Sequence, residues 1–437
     1  MISGGVDGDL LAVVKGLTPE SVIDVHGVLH AAPTPIKSCS CSTHELHCSK
    51  IETITAAATP LPFPVEDSMT KLDTRLDHRV IDLRTPGMGA VVRLVSLVNQ
   101  KYRETLLAND FVEIHTPKLI GTPSEGGSSV FQLNYFGQKG FLAQSPQLYK
   151  QMVLMGDVPR VFEIGPVFRA EKSQTHRHLT EFVGLDAEMM IHASYTEVLN
   201  VLEHTLCSVL HALEHDARRD VDLAQTYFGV SSKGRVSLTS PLLKELGVGE
   251  DGLTEGDPPT PSVDQYGARV GSFTAQFPVI RLSFDNAVQL LLDNAKIASV
   301  VDDFSTQTER ELGALVRQRY GVDVYIVDRF PIGARPFYTM PCADDPTRTY
   351  SYDMYLRGEE ICSGAQRIHD PLLLTKRMGE CGVDVSLIQP YVDSFKFGAW
   401  PHGGFGLGME RIVQFFLGLP DIRQVSLFPR DPKRITP

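Results

Sequence analysis

The sequence predicts an α+β fold, and three stretches predict it. Residues 160–190, RVFEIGPVFRAEKSQTHRHLTEFVGLDAEMM, read as strand, polar loop and strand, an antiparallel hairpin. Residues 86–109 carry Val91, Val92, Leu94, Val95, Val98, Tyr102 and Leu106 at helical spacing, with Pro86 near the start where proline is tolerated. A strand, FVEIHTP, follows and ends at Pro117. Residues 403–411, GGFGLGMER, read as a glycine-rich strand that runs into an apolar helix, IVQFFLG.

The hairpin is unusual in its charge. Glu181, Asp186 and Glu188 alternate with Phe182, Val183 and Leu185, and the loop AEKSQTHRH between the strands is dense in charge. A solvated outer face explains such alternation equally well, because a half-buried sheet alternates in the same way. Buried charge needs partners, so inward-facing acids here mark a site rather than a plain core. The glycine strand tips the balance. Glycines let backbone approach a ligand, and Arg411 at the junction adds a cation suited to phosphate or to stacking on a base.

Composition bounds the rest. The chain of 437 residues has room for two or three domains, and 42% hydrophobic residues is a globular value. No apolar run reaches transmembrane length and no basic start leads into an apolar signal core, so a cytoplasmic protein without membrane contact is expected. Seven scattered cysteines argue against a disulfide framework and for a reducing compartment. A net charge of −12 favours a small-molecule enzyme, although a local basic patch on an acidic protein suffices to bind nucleic acid.

In chain order, residues 1–66 read as short strands, SVIDVHGVLHAA and LHCSKIETIT, joined by a polar loop. Cys39, Cys41, His44, His47 and Cys48 invite a zinc reading, but their spacing is not a common one and a plain strand and turn is preferred. Residues 67–85 read as a linker after the proline-rich TPLPFPVED. SEGGSSVF is a small-residue loop carrying Glu125, and YFGQKGFLAQSPQLYKQM is a hairpin passing into a helix. Residues 194–215 form an amphipathic helix. From 218 to 276 the pattern dissolves into Gly, Pro, Ser and Asp, which reads as a mobile insertion. FDNAVQLLLDNAK and TERELGALVRQRYG are helices and DVYIVDRFP is a buried strand. Residues 351–370 form two strands and a turn carrying Asp353, Glu359, Glu360, Ser363 and Arg367.

Helix, strand and Pro117, then a strand ending in FRAE, then GFGLGMER, resemble in order the three signature motifs of class II aminoacyl-tRNA synthetases. Such an enzyme aligns a carboxylate on the α-phosphorus of ATP and neutralises the charge that develops there, which needs cations and positioning. Arg169 suits the α-phosphate and the attacking carboxylate. Glu360 and Asp353, with Ser363, offer hard oxygens for Mg²⁺. Phe182 and Arg411 can sandwich adenine.

The stretches GPVFRAEKSQTHRHLTEFVGLDAEM, AQSPQLYKQ, YDMYLRGEEICSGAQRIHD and FPRDPKR resemble more narrowly the aspartyl-tRNA synthetase family of eukaryotic and archaeal type, in class IIb. The resemblance covers about residues 18–437 apart from the insertion. It implies a catalytic domain over 86–437, an antiparallel sheet flanked by helices, preceded by a partial OB-fold barrel over 1–66 that binds the anticodon and whose first strands are missing. It implies a homodimer through the first motif. It implies that Arg169, Glu171, Arg177, His178, Leu179, Phe182, Glu360, Gly408, Met409, Glu410 and Arg411 touch ATP, with Arg169, Glu360 and Arg411 catalytic. Glu125 and Asp186 then hold the substrate ammonium, while Gln147, Lys150, Arg169, Ser363 and Arg367 line the aspartate pocket. ATP, Mg²⁺, L-aspartate and tRNA(Asp) follow as substrates, metal and partner.

Two cations, Lys150 and Arg367, aimed at one small pocket favour a side-chain carboxylate over an amide or ammonium. The rivals are an asparaginyl-type enzyme, a synthetase-like asparagine synthetase and a non-catalytic tRNA-binding paralogue. Lys150 in its QSPQ context speaks against the first. The presence of Arg169, Glu360 and Arg411 speaks against the last.

Overall fold

The computed structural model describes residues 8–37, 39, 41–123, 130–172, 175–231, 236, 269–270, 279–294 and 302–436. It divides into two compact units, Met1–Asp67 and Ser68–Pro437.

The first unit holds helix α1 (Gly8–Gly16) and strands β1 (Val22–Ala31) and β2 (His44–Thr55), paired antiparallel. The helix corrects the expectation of strands alone. Its run DLLAVV is apolar and lacks the alternation a half-buried strand requires. At Gly27 a side chain would meet the backbone oxygen of His47 at 2.3 Å, and the register shifts beside it, so this position needs glycine. The described residues form one hairpin rather than a closed barrel.

The second unit opens with two short helices, α2 (Leu72–Asp77) and α3 (Arg79–Leu83), where the sequence suggested a linker. Charge explains the difference. Asp82 is fully buried and accepts from both Arg75 and Arg79, and the Arg79 guanidinium also donates to the backbone of Ser426 and Leu427. Polar residues read as linker composition are here a desolvated ion cluster.

Helix α4 (Pro86–Leu107) starts where Thr85 accepts the Met88 N–H, with proline in the first turn. It buries Val91, Leu94, Val98, Tyr102 and Leu106 along one face. Then come β3 (Val112–Glu113), β4 (Leu119–Ile120), β5 (Gln132–Tyr135), β6 (Gln138–Leu142), α5 (Gln147–Met155), β7 (Arg160–Phe168) and β8 (Glu181–Met190). Helix α6 (Thr196–His211) runs through a π-helical turn, Ala212–Asp216, towards α7 (Arg218–Tyr227). Helix α7 corrects the start of the expected insertion: Val221 and Ala224 are buried against the α4 and α6 core. Residues 232–235, 237–268 and 271–278, the bulk of that expectation, lie outside the described residues.

The unit continues with β9 (Arg269–Val270), β10 (Ile280–Ser283), α8 (Phe284–Asn294), α9 (Thr306–Tyr320), β11 (Val324–Asp328), β12 (Ser351–Leu356), β13 (Glu359–Arg367), α10 (Pro371–Glu380), α11 (Gln389–Phe395), β14 (His402–Gly408) and α12 (Met409–Leu417). Nine strands form one sheet in the order β3-β7-β8-β14-β13-β12-β11-β10-β9. Only the β3–β7 and β10–β11 pairs are parallel. The late strand β14 thus inserts between β8 and β13 at the centre. Helices α4, α6, α7 and α12 share the largest core cluster with residues of the central strands. Helices α8 and α9 pack with β10 and β11, and α5, α10 and α11 form a third cluster.

Candidate active site

Strand β14 carries glycine because of what lies on either side of it. Gly404 pairs with Glu188 and Gly406 with Asp186. A side chain on Gly404 would come within 2.2 Å of a Glu188 carboxylate oxygen and within 2.1 Å of the Ala187 backbone oxygen. The glycines make room for two carboxylates that β8 pushes into the sheet's centre.

Those carboxylates are paired. Lys150, on α5, sits 3.0 Å from Asp186 and 3.3 Å from Glu188. The Arg367 guanidinium, at the end of β13, forks onto Glu188 at 2.9 and 3.2 Å and donates to the Gly404 carbonyl at 3.0 Å. Burial pushes Glu188 up, but Arg367 and Lys150 outweigh it and hold the carboxyl below its ordinary value. Burial leaves Asp186 raised, with Lys150 opposing the shift. The two cations and two carboxylates balance, so a cation that paired with Asp186 would leave Lys150 and Arg367 with only Glu188 and one net positive charge.

Behind this cluster runs a neutral network. Gln147 donates to Gln151 at 2.9 Å, and Tyr391 donates to the same Gln151 oxygen at 3.0 Å. His402 donates from Nδ1 to the Trp400 carbonyl, so its Nε2 accepts from Gln151 at 2.9 Å. Burial lowers the His402 pKa to about 4, and the ring is neutral at pH 7.

The other half of the site is basic. Arg169 follows β7, Arg177 and His178 belong to the loop between β7 and β8, and Arg411 lies in the first turn of α12. Arg411 donates to the backbone carbonyls of Arg177 and Glu360 and lies 3.8 Å from the Glu360 carboxylate. Burial lowers its pKa, Glu360 opposes this, and the like charges of Arg177 and Arg169 add to it. Burial and then Arg411 depress His178 to about 4. Such crowding of cations is relieved by a polyanion. Arg177 is held from behind by Glu309 and, at 3.1 Å, by Glu359. Glu410 is buried and accepts the Val183 N–H with both oxygens, at 3.1 and 3.2 Å, which fixes the backbone next to Phe182. The cation set over Phe182 is Arg169, 5.6 Å from the ring centroid.

Gln147, Lys150, Asp186, Arg367, Arg169, Arg177, His178, Phe182, Glu360, Glu410 and Arg411 line one cavity of about 300 Å³, with Glu188, Gln151, His402, Glu309 and Glu359 buried behind them. Of the residues expected from sequence, Arg169, Glu171, Arg177, His178, Leu179, Phe182, Glu360, Gly408, Glu410, Arg411, Gln147, Lys150, Asp186, Ser363 and Arg367 face it. Met409 and Asp353 are buried beside it without lining it, and Glu125 lies outside the described residues. Sequence reasoning missed Glu188 as the buried partner of Lys150 and Arg367, Glu309 and Glu359 behind Arg177, and Arg335. The signal for Glu188 was present in its alternation with Asp186. Arg335 sits in the stretch FPIGARPFYTMP, which shows no periodicity to read.

Asp353 and Ser363 are register partners on β12 and β13. Arg335 holds both: its guanidinium takes the two Asp353 oxygens at 2.6 and 3.1 Å and the Ser363 hydroxyl at 3.3 Å. Burial pushes the Asp353 carboxyl up to about 6. Arg335 opposes the shift and neighbouring Glu360 adds to it. Asp353 and Glu360, near enough to repel each other, and the Ser363 hydroxyl offer hard oxygens of the kind a divalent ion takes.

The cavity is thus lined by Arg169, Arg177 and Arg411 together with the Lys150–Asp186 pair and Arg367. The sequence profile of the tRNA synthetases class II (D, K and N) matches residues 71–432, and the chain belongs to that family. Within it, similar relatives include aspartate–tRNA ligases. The cytoplasmic aspartate–tRNA ligase of Homo sapiens is 43% identical over 441 residues, 98% of this chain and 80% of that one. The cytoplasmic aspartate–tRNA ligase 2 of Arabidopsis thaliana is 40% identical, over 99% of this chain and 73% of its own. Among solved structures, the aspartyl-tRNA synthetase from Entamoeba histolytica superimposes with a TM-score of 0.79 at 37% identity, covering 96% of this chain and 79% of that chain. The asparaginyl-tRNA synthetase from Pyrococcus horikoshii, complexed with asparaginyl-adenylate, gives 0.79 at 28% identity, covering 99% and 88%. Among the described residues no helix is long and apolar enough to cross a membrane.

Proposed function

We infer that this chain is an ATP-dependent aspartate–tRNA ligase of the cytoplasm. The observation that carries the amino-acid assignment is the set of Lys150, Arg367 and Asp186 lining one cavity, with Glu188 buried behind the two cations, which leaves one positive charge for a side-chain carboxylate after the substrate ammonium meets Asp186. An amide there would leave that charge uncompensated, which disfavours asparagine.

In the first step an α-carboxylate oxygen of L-aspartate attacks the α-phosphorus of ATP, forming the phosphorus–oxygen bond of aspartyl-adenylate as pyrophosphate leaves. Arg169 aligns the attacking oxygen and the α-phosphate. Arg177, His178 and Arg411 take the outer phosphates, and Arg169 and Phe182 bound the adenine site with the backbone that Glu410 fixes. Glu360, with Ser363 and Asp353, would hold Mg²⁺, which would supply charge neutralisation on the phosphates. In the second step a hydroxyl of the terminal adenosine of tRNA(Asp) attacks the aspartyl carbonyl and AMP leaves. The protein works as a homodimer paired through α4 and the segment to Pro117. Glu125 completes the ammonium site, and the first unit contributes to anticodon binding.

Aspartate-dependent exchange of labelled pyrophosphate into ATP tests this without tRNA. Exchange with aspartate and none with asparagine or lysine is expected. No exchange from folded protein would overturn the reading.

A further inference from the structure

Arg335 is the one guanidinium described at this cavity that no step above uses. Its side chain is packed tightly. The guanidinium lies over the Phe330 ring, 3.9 Å from the centroid, and forks onto Asp353 while also reaching Ser363. Its own exposure is small, and so is that of its partner, at 10% and 7% of the side chains. Two of the three donors read as Mg²⁺ ligands are therefore already held by a protein cation, and the third, Glu360, points into the same cavity.

An ion and a guanidinium cannot share these oxygens freely. Mg²⁺ sits about 2.1 Å from its oxygens and demands a near-octahedral shell. Arg335 occupies both carboxylate oxygens and the hydroxyl, and its positive charge repels a second cation brought within a few ångströms at low dielectric. Arg335 also lines the cavity, so a guanidinium that leaves Asp353 faces the space that receives polyphosphate.

We propose that Arg335 is an internal stand-in for the divalent ion: it holds Asp353 and Ser363 in the nucleotide-free protein and must release them for the ion to bind. The arrangement keeps a buried carboxylate compensated while substrate is absent, since an unpaired buried charge is costly. It also couples the ion to the nucleotide, because only ATP brings phosphates that draw Arg335 away. The inference rests on the reading of Asp353, Glu360 and Ser363 as ion donors. Arg335 is a positioning residue in this account.

The test measures Mn²⁺ binding to the full chain without nucleotide, from the electron paramagnetic resonance signal of free Mn²⁺. Arg335→Gln removes the competing charge and is expected to bind Mn²⁺ about tenfold tighter than the parent protein. Adding Ser363→Ala to it is expected to erase the gain. Arg335→Lys keeps a cation but cannot fork onto both oxygens, and a rise of about threefold is expected, which keeps the test decisive should the glutamine variant not fold. Unchanged or weaker binding in the folded variants, or a gain that survives Ser363→Ala, overturns the inference. The underlying reading is tested apart from this by Mn²⁺-supported pyrophosphate exchange in the parent and its loss in Glu360→Gln. If exchange behaves so and the affinity gain is missing, the role of Arg335 alone fails.

Discussion

In the proposed function, amino-acid choice turns on Lys150. It is 2% exposed and serves two carboxylates at once. Lys150→Met leaves Asp186 unpaired and Glu188 with Arg367 only. Aspartate-dependent pyrophosphate exchange is expected to fall by about a hundredfold or more in kcat/KM, the cost of stranding a buried charge, with the KM for ATP little changed. An equal loss for both substrates would count against a local role. Glu410 yields a pH prediction. Burial raises its carboxyl from 4.5 to about 7, while the Val183 N–H opposes the shift. Between those values the folded protein keeps a proton that the unfolded chain releases, so the contribution of Glu410 to stability declines as pH rises through this window. Glu410→Gln keeps an acceptor and cannot ionise. Its stability relative to the parent is expected to rise by on the order of 3 kcal/mol from pH 4.5 to pH 7, read from thermal unfolding at a series of pH values. A difference that stays flat with pH would count against the raised pKa.

The element that decides the site is β14, and its effect can be graded. At Gly404 a methyl group meets backbone and carboxylate at 2.1 and 2.2 Å, whereas at Gly406 the nearest atom, an Asp186 oxygen, is 3.1 Å away. Gly404→Ala is expected to destabilise by about 3 kcal/mol or more and to abolish exchange, because strand backbone cannot give way. Gly406→Ala is expected to fold and to act through aspartate binding. Equal melting temperatures for the two variants would overturn the steric account. The strand was legible in sequence because glycine in alternate places is rare without a reason, and the β7–β8 hairpin was legible by its alternation. Helix α7 was not, since its polar residues Arg218, Arg219, Asp220 and Asp222 mask a narrow buried face of Val221 and Ala224. Helices α2 and α3 were hidden in the same way, because Arg75, Arg79 and Asp82 read as solvated charge until their partners are known. Most of the residues expected from motif order line one cavity. Glu188, Glu309 and Arg335 escaped because each acts on another side chain, and such pairings join residues far apart in the chain.

At the scale of the molecule, every described site residue lies between Gln144 and Ile422, inside the second unit. A chain starting at Ser68 is therefore expected to keep aspartate-dependent pyrophosphate exchange within about threefold and to lose far more in the KM for tRNA, since anticodon contacts supply binding rather than chemistry. Loss of exchange with retained helical content would place part of the activation machinery in residues 1–67. The acidity of the whole chain, −12, gave no hint of the cationic cavity, because net charge is set by the surface and the site by a few buried pairs.

Trp400, the only tryptophan of the chain, is half exposed, and its carbonyl accepts from His402 at the far end of the Gln147–Gln151 network. The protein thus carries a single tryptophan, linked to the cavity residue Gln147 through His402 and Gln151. Aspartate and ATP added together are expected to shift the intensity or wavelength of the tryptophan emission, and Gln151→Leu to uncouple it, which turns a backbone hydrogen bond into an optical titration of the site.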